Sequence, residues 1–368
     1  MTDERGVLVL TASMGAGHTQ PAAELVGRLG ERMPARMVDL LEILPGRLGS
    51  GLREGYAAML SHAPWLYEGI FQSFFVPRGH WQPSTSPLAA LAARQLGRIV
   101  AQWRPRAVVS TFHLAGQAAG RLRLAGRLRV PSLVMITEPA AHLLWAHPGT
   151  DLFICPYPWV AQEVGLLSGR PTVTPGPLIA PEFARHRGQV APGRRALGLH
   201  AGDHAVLISG GSWGMGDINA ALDRLAGLDH IRPVVLCGRN VRLLAQLRHR
   251  PGCQALGWRD DLPTLFAAAD VLVDNAGGTT CAEAFAAGLP VVGFRPLPGH
   301  GRLGMAALIR AGLVRDGQHQ LRTVVTALCT PYSAREQQRH RADQVFRADP
   351  VHVIADWLGS RRPDALTG

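Results

Sequence analysis

The stretch VLVDNAGGTTCAEAFAAGLPVVGF, Val271 to Phe294, holds the densest set of residues able to do chemistry. An apolar run, Val271–Asp274, gives way to Asn275 and the turn AGGTT, and a helical pattern follows. Gly277 and Gly278 carry no Cβ, so the backbone there can approach a bulky ligand directly. Thr279 and Thr280 add hydroxyl groups, and the open N–H groups of a helix start attract phosphate. Glu283 lies one turn further on. A second reading fits the same letters: Thr280 and Glu283 have the spacing of a capping box, in which the carboxylate merely closes its own helix. Local physics leaves both open. After a further strand, the loop PLPGHG (Pro296–Gly301) carries His300, so two consecutive strand-to-helix loops face one cleft.

The other candidates are histidines and one carboxylate. In SMGAGH (Ser13–His18), Gly15 and Gly17 fit a tight strand-to-helix turn. This is not the dinucleotide pattern G-x-G-x-x-G, because Gln20 occupies the third glycine's place. His18, at the start of the following helix, has the chemistry of a general base. Glu138 is the alternative base, with His142 and His147 flanking Trp145 nearby. Several histidines raise the question of zinc. There is no H-E-x-x-H spacing and no cysteine partner, so no metal site is expected.

These residues need a scaffold that places loops side by side. Strand-like runs recur at Val7–Leu10, Met37–Leu40, Ala107–Ser110, Ser132–Ile136, Asp151–Ile154 and Thr172–Thr174, with helical patterns such as Pro21–Met33 between them. The alternation breaks in the Pro- and Gly-rich segment Pro175–Gly193. It restarts with Ala205–Ser209, Pro233–Cys237, Cys253–Leu256, Val271–Asp274 and Pro290–Phe294. Such alternation predicts parallel sheets covered by helices, with ligands near the strand carboxyl ends. The expected boundaries are a domain over 1–177, a linker over 178–190, a domain over 191–348, and a C-terminal helix within 349–368 that packs back on the first domain. The aromatic stretch Gly49–Pro87 interrupts the rhythm. It reads either as buried helical packing or as an exposed amphipathic surface, with Arg53, Arg78 and Trp81 at the interface.

Bulk properties narrow the function classes. The 368 residues are 47% hydrophobic with 42 glycines and 27 prolines, which fits an α/β globular chain. All 38 basic residues are arginine, which rules out a Walker A lysine and a pyridoxal-phosphate Schiff base. A net charge of +11 carried by scattered arginines, with no basic run, gives little support to a nucleic-acid partner. An anionic membrane surface is a better candidate partner. The five scattered cysteines read as reduced core thiols, and the N-terminus has no signal-peptide pattern, so a cytoplasmic location is expected, peripheral on the membrane at most. No apolar stretch approaches the ~20 residues a spanning helix needs.

Taken in order, the motifs resemble one group of glycosyltransferases: those related to monogalactosyldiacylglycerol synthase, processive diacylglycerol glucosyltransferase and the peptidoglycan lipid N-acetylglucosaminyltransferase. SMGAGH is similar to that group's S-x-G-x-G-H opening. VVSTFHLAGQAAGRLR (Val108–Arg123) and TEPAAHLLWAHPGTDLFIC (Thr137–Cys155) follow its S-T-H-H and T-D-F…H…W…H-P-G-x-D patterns, and ISGGSWGMGDI (Ile208–Ile218) its glycine loop. The resemblance implies a GT-B fold, two Rossmann-like α/β domains facing a central cleft, and inverting hexosyl transfer from a nucleotide-sugar, a UDP-hexose co-substrate, to a hydroxyl of a lipid such as diacylglycerol. It assigns Gly211, Ser212, Gly277, Gly278, Thr279, Thr280, Glu283 and His300 to the donor. His18 or Glu138 becomes the base, and Gly15, Gly17, His113, His142 and Trp145 fall to the acceptor. No cofactor is implied, and the D-x-D motif of metal-dependent transferases is missing. Two positions depart from the pattern: Glu138 and Pro139 stand where the group has Asp and an aromatic, and His300 stands where it has Gln. Transfer to a soluble metabolite, nucleotide-sugar epimerisation or hydrolysis, and non-catalytic binding of lipid or nucleotide remain alternatives.

Overall fold

The computed structural model describes residues 5–76, 86–329 and 333–360. Arg78 and Trp81 lie outside the described residues. The chain divides into two units, Met1–Leu178 with Arg347–Gly368, and Ile179–Phe346.

The first unit is built on a parallel sheet of β1 (Val7–Thr11), β2 (Ala35–Asp39), β3 (Ala107–Ser110), β4 (Ser132–Met135), β5 (Leu152–Ile154) and β6 (Thr172–Val173), in the order β2-β1-β3-β4-β5-β6. Alternate residues of a strand face opposite sides. Val7 and Val9 accordingly join one buried cluster, with Leu25, Leu29, Ile354 and Leu358. Leu8 and Leu10 join the other, with Leu96, Phe112 and Leu122. A strand buried on both faces reads as the continuous apolar run seen in Val7–Leu10. The helix Pro350–Gly359 brings Ile354 and Leu358 into this core, capped by Asp349, whose carboxylate accepts from Val351 N at 2.9 Å. Arg28 pairs with the same aspartate.

The second sheet comprises β7 (His204–Ser209), β8 (Ile231–Leu236), β9 (Gln254–Leu256), β10 (Val271–Asp274), β11 (Val291–Gly293) and β12 (Arg315–Asp316), ordered β12-β11-β10-β7-β8-β9 and also parallel. The two-residue β12 is too short to leave a sequence pattern. The Pro-rich stretch read as a linker enters this unit from Ile179: Phe183 is buried against Phe266, ring centroids 5.3 Å apart.

In both sheets the order of strands reverses beside the first strand of the unit. β1 lies between β2 and β3, and β7 between β8 and β10. Crossovers leaving such a strand run in opposite directions, so a crevice opens at the carboxyl ends of β1 and β3, and likewise of β7 and β10. The loops entering these crevices are those the motifs singled out.

Candidate active site

In the first unit the loop after β1 leads through Gly15 (φ 112°) into the helix Ala16–Gly30, which places His18 in its first turn. Two neighbours fix the imidazole. His18 Nδ1 is 3.1 Å from the carbonyl oxygen of Thr111, beyond β3, and 2.8 Å from the hydroxyl of Thr137, beyond β4. A carbonyl only accepts, so a ring hydrogen sits on Nδ1. Nε2 points at Glu138, with Oε1 at 3.7 Å. Phe112 packs edge-on against the imidazole at 5.0 Å.

Glu138 is held from its other side. Trp145 Nε1 donates to Oε2 at 3.2 Å, and His142 Nε2 lies 3.2 Å from the same oxygen. His113 packs against both rings, at 5.2 Å from His142 and 5.9 Å from Trp145. Five of the residues named from sequence therefore meet in one cluster: His18, His113, Glu138, His142 and Trp145. Gly15 supplies the turn that delivers His18, and Gly17 lies in the first turn of the helix itself. His147 belongs to the packing instead. Its Nδ1 accepts from Gly149 N at 3.0 Å, and burial, assisted by the Arg121 charge, pushes its pKa down to about 4. Among the described residues, no group of three His, Cys, Asp or Glu side chains is arranged to hold a metal ion.

The residues that the resemblance assigns to a donor lie in the second unit and are mostly backbone features. After β7 the chain forms the compact loop Gly210–Asp217, closed by Met215 N donating to Gly210 O at 2.8 Å. Asn275, just after β10, ties this loop to its own: its Nδ2 donates to Met215 O at 2.8 Å. Gly216 (φ 94°) permits the contact, since a Cβ there would sit 2.0 Å from that nitrogen. Gly277 (φ 66°) has a second reason to be glycine, a Cβ falling 2.9 Å from Met305 N. At Gly278 nothing lies within 4 Å of where a Cβ would be, so the start of the helix Thr279–Ala287 has open space before it. Gly278 is the cap, with no side-chain capping bond. The capping box open to the sequence is therefore not formed.

Glu283 is 6% exposed and has no hydrogen bond to any described residue. Burial, and then the charge of Asp274, push its pKa up to about 8. Asp274 closes the turn: its Oδ2 accepts from Ala276 N at 2.9 Å and Gly277 N at 2.7 Å. His300 opens the helix His300–Arg310, behind Gly299 (φ 67°), with the loop anchored by Leu297 N donating to Asn275 O at 2.8 Å. Gly211, Ser212, Thr279, Thr280 and His300 are all partly exposed at this end of the sheet.

One feature was missed from sequence. Beyond β9, Trp258 is 40% exposed, and the Arg239 guanidinium, from the loop after β8, stacks 4.3 Å from its ring centroid. The pair forms a flat cationic platform at the carboxyl edge of the same sheet. A tryptophan amid the charges of GWRDD was the available signal.

The chain has the GT-B fold: Acinetobacter baumannii MurG superposes with a TM-score of 0.58 at 17% identity, covering 97% of this chain and 100% of that one. Anabaena HepE, in complex with UDP and glucose, gives 0.59 at 14% identity, with 97% and 100% covered. The family model for monogalactosyldiacylglycerol (MGDG) synthase matches residues 18–169, which includes His18, Glu138, His142 and Trp145. The processive diacylglycerol β-glucosyltransferase of Bacillus subtilis is 25% identical over 318 residues, 81% of this chain and 80% of that protein. The chain has the GT-B fold and is similar, over most of its length, to glycosyltransferases of the group its motifs resemble.

Proposed function

We propose that this protein transfers a hexosyl group, with inversion, from a UDP-hexose to a hydroxyl of a diacylglycerol-type lipid, using neither metal nor cofactor. The observation that carries the donor half is the open start of Thr279–Ala287 with a buried, unbonded Glu283 one turn inside it. Helix N–H groups and the loop at Gly211 and Ser212 suit a diphosphate. Glu283 suits the ribose hydroxyls, two donors for a carboxylate that has none among the described residues. Arg239 and Trp258 suit the flat nucleobase, and His300 the sugar. Support for a UDP-sugar comes from HepE, whose fold this chain shares and which binds UDP and glucose.

The acceptor half rests on His18. With its hydrogen on Nδ1, Nε2 takes the proton of the acceptor hydroxyl as that oxygen attacks C1. The imidazolium so formed faces Glu138 Oε1, and the carboxylate stabilises it. The leaving diphosphate keeps the bonding electron pair, and its charge falls on backbone N–H groups. The family match and the diacylglycerol substrate named for the Bacillus relatives favour a lipid acceptor. So does the surface of helices Leu48–His62 and Pro64–Phe74. They bury Leu60, Tyr67 and Phe71 yet leave Trp65 74% and Phe74 53% exposed. Trp65, on the side of its helix opposite buried Tyr67 and Phe71, suits a bilayer interface together with Phe74 at the helix end, and an anionic membrane is proposed to meet it, with Arg53 at its edge. Among the described residues no helix is long and apolar enough to cross a membrane.

Calorimetry against UDP-glucose, UDP-galactose and UDP-N-acetylglucosamine tests the donor. One of them is expected to bind, and Glu283→Ala to weaken it. Equal binding by the two proteins removes the donor assignment.

A further inference from the structure

Glu138 carries two buried donors that the transfer scheme leaves unused. His142 and Trp145 are 2% and 1% exposed, so neither ring offers a face to an acceptor, and both spend a ring nitrogen on Glu138 Oε2 at 3.2 Å. His142 Nδ1 is buried and has no hydrogen-bond partner among the described residues. A hydrogen on that nitrogen would be a stranded donor, so the tautomer is the one with its hydrogen on Nε2, donating to the carboxylate. The ring cannot turn away. Phe75 packs on it at 5.0 Å, His113 at 5.2 Å and Phe71 at 6.0 Å.

We propose that His142 and Trp145 are positioning residues that clamp Oε2 of Glu138 with two neutral N–H donors, keeping the carboxylate ionised and turning Oε1 toward His18. The inference rests on His18 acting as the base of a glycosyl transfer. Two N–H bonds to one carboxylate oxygen favour the charged form. Among the described residues, the other titratable groups around Glu138 include His18, from the helix Ala16–Gly30, His113, from the helix His113–Leu124, and the hydrogen-bonded pair Tyr56 and Tyr67, from the helices Leu48–His62 and Pro64–Phe74. Both phenols are pushed above their usual range by burial first, with the Glu138 charge adding to it. They stay neutral, so the acid side of activity is left to Glu138 and the histidines. Without the clamp Glu138 holds its proton to higher pH, and the imidazolium of the transition state loses its counter-charge.

The test compares Trp145→Phe, which keeps the ring and deletes one N–H, with His142→Leu and the donor-retaining His142→Gln. For transfer from the UDP-hexose to diacylglycerol vesicles, Trp145→Phe and His142→Leu are each expected to lower kcat about tenfold, with donor KM changed less than about twofold. The acidic limb of kcat/KM is expected to move up by about half to one pH unit, and His142→Gln to restore most of both. A limb that stays in place while kcat falls overturns the clamp and leaves the transferase reading standing. Absence of transfer by the unmodified protein overturns the reading and the clamp with it. Nitrogen-15 spectra of histidine-labelled full-length protein give a readout apart from activity. The signal lost in His142→Gln must show a protonated Nε2 and a bare Nδ1 at neutral pH, and the reverse tautomer overturns the proposal.

Discussion

The two candidate sites, one in each unit, are built on the same kind of sheet crevice by opposite means. At β1 and β3 the work falls to side chains: His18, Glu138, His142 and Trp145 hold one another in a packed cluster, each by a specific nitrogen or oxygen. At β7 and β10 it falls to backbone: glycine turns clasped by Asn275, a helix start without a side-chain cap, and one buried carboxylate with no hydrogen bond to any described residue. Proton transfer needs a base whose tautomer and direction are fixed before the acceptor arrives. A diphosphate needs only several N–H groups converging on open space. The first region is thus sensitive to side-chain chemistry, the second to whether a Cβ fits.

Replacing His18 breaks the comparison hardest. His18→Ala is expected to lower kcat by about 10²–10⁴-fold while calorimetric donor affinity stays the same. An equal loss of donor affinity would mean that the two sites do not divide the work. Glu283→Ala should show the reverse pattern, a roughly 10- to 100-fold loss of donor affinity, as expected for hydrogen bonds to a charged group. Its pH behaviour sharpens this. Free Glu283, pushed up to about 8, is protonated at neutral pH, whereas ribose hydroxyls favour the anion. UDP binding near pH 7 should therefore release a proton, and tighten as pH rises toward 8. Calorimetry in buffers of different ionisation enthalpy should find that release in the unmodified protein and not in Glu283→Gln.

Adjacent glycines offer a finer contrast. Gly277→Ala puts a Cβ against Met305 N in a left-handed backbone, and is expected to destabilise the fold by about 1–3 kcal/mol in chemical denaturation. Gly278→Ala has room for its Cβ but a ψ of −137° outside the regions alanine prefers, so stability should fall by less than at Gly277 while the added methyl hinders the diphosphate and weakens donor binding several-fold. If Gly278→Ala binds donor normally, the backbone-built picture fails there. The smallest effect is expected on the first unit's surface: Trp65→Ser with Phe74→Ser should reduce co-sedimentation with anionic vesicles a few-fold and leave UDP affinity unchanged.

What the sequence made legible follows the same division. Backbone-built features are visible because they need particular residue types. Gly277 and Gly216 meet positive φ and close approach, and β1, β3 and β10 are buried on both faces, so their letters show. The side-chain cluster was visible as a set of candidates but not as a network. That one oxygen of Glu138 takes both Trp145 and His142 depends on rotamers in the loop after β4, which no spacing encodes. Thr280 and Glu283 show the opposite failure. Their capping-box spacing is real, yet the helix starts two residues earlier with Gly278 as its cap, and Glu283 turns inward. Arg239 and Trp258 meet across two strand ends, a contact that only the sheet order creates.

The most direct measurement of the central claim is mass-spectrometric detection of hexosyl-diacylglycerol after incubating the full chain with a UDP-hexose and diacylglycerol vesicles, with a chelator present. The account predicts product with the unmodified protein, less with Glu283→Ala, and almost none with His18→Ala. Product that forms equally in all three, or UDP-hexoses that neither bind nor turn over, would contradict it.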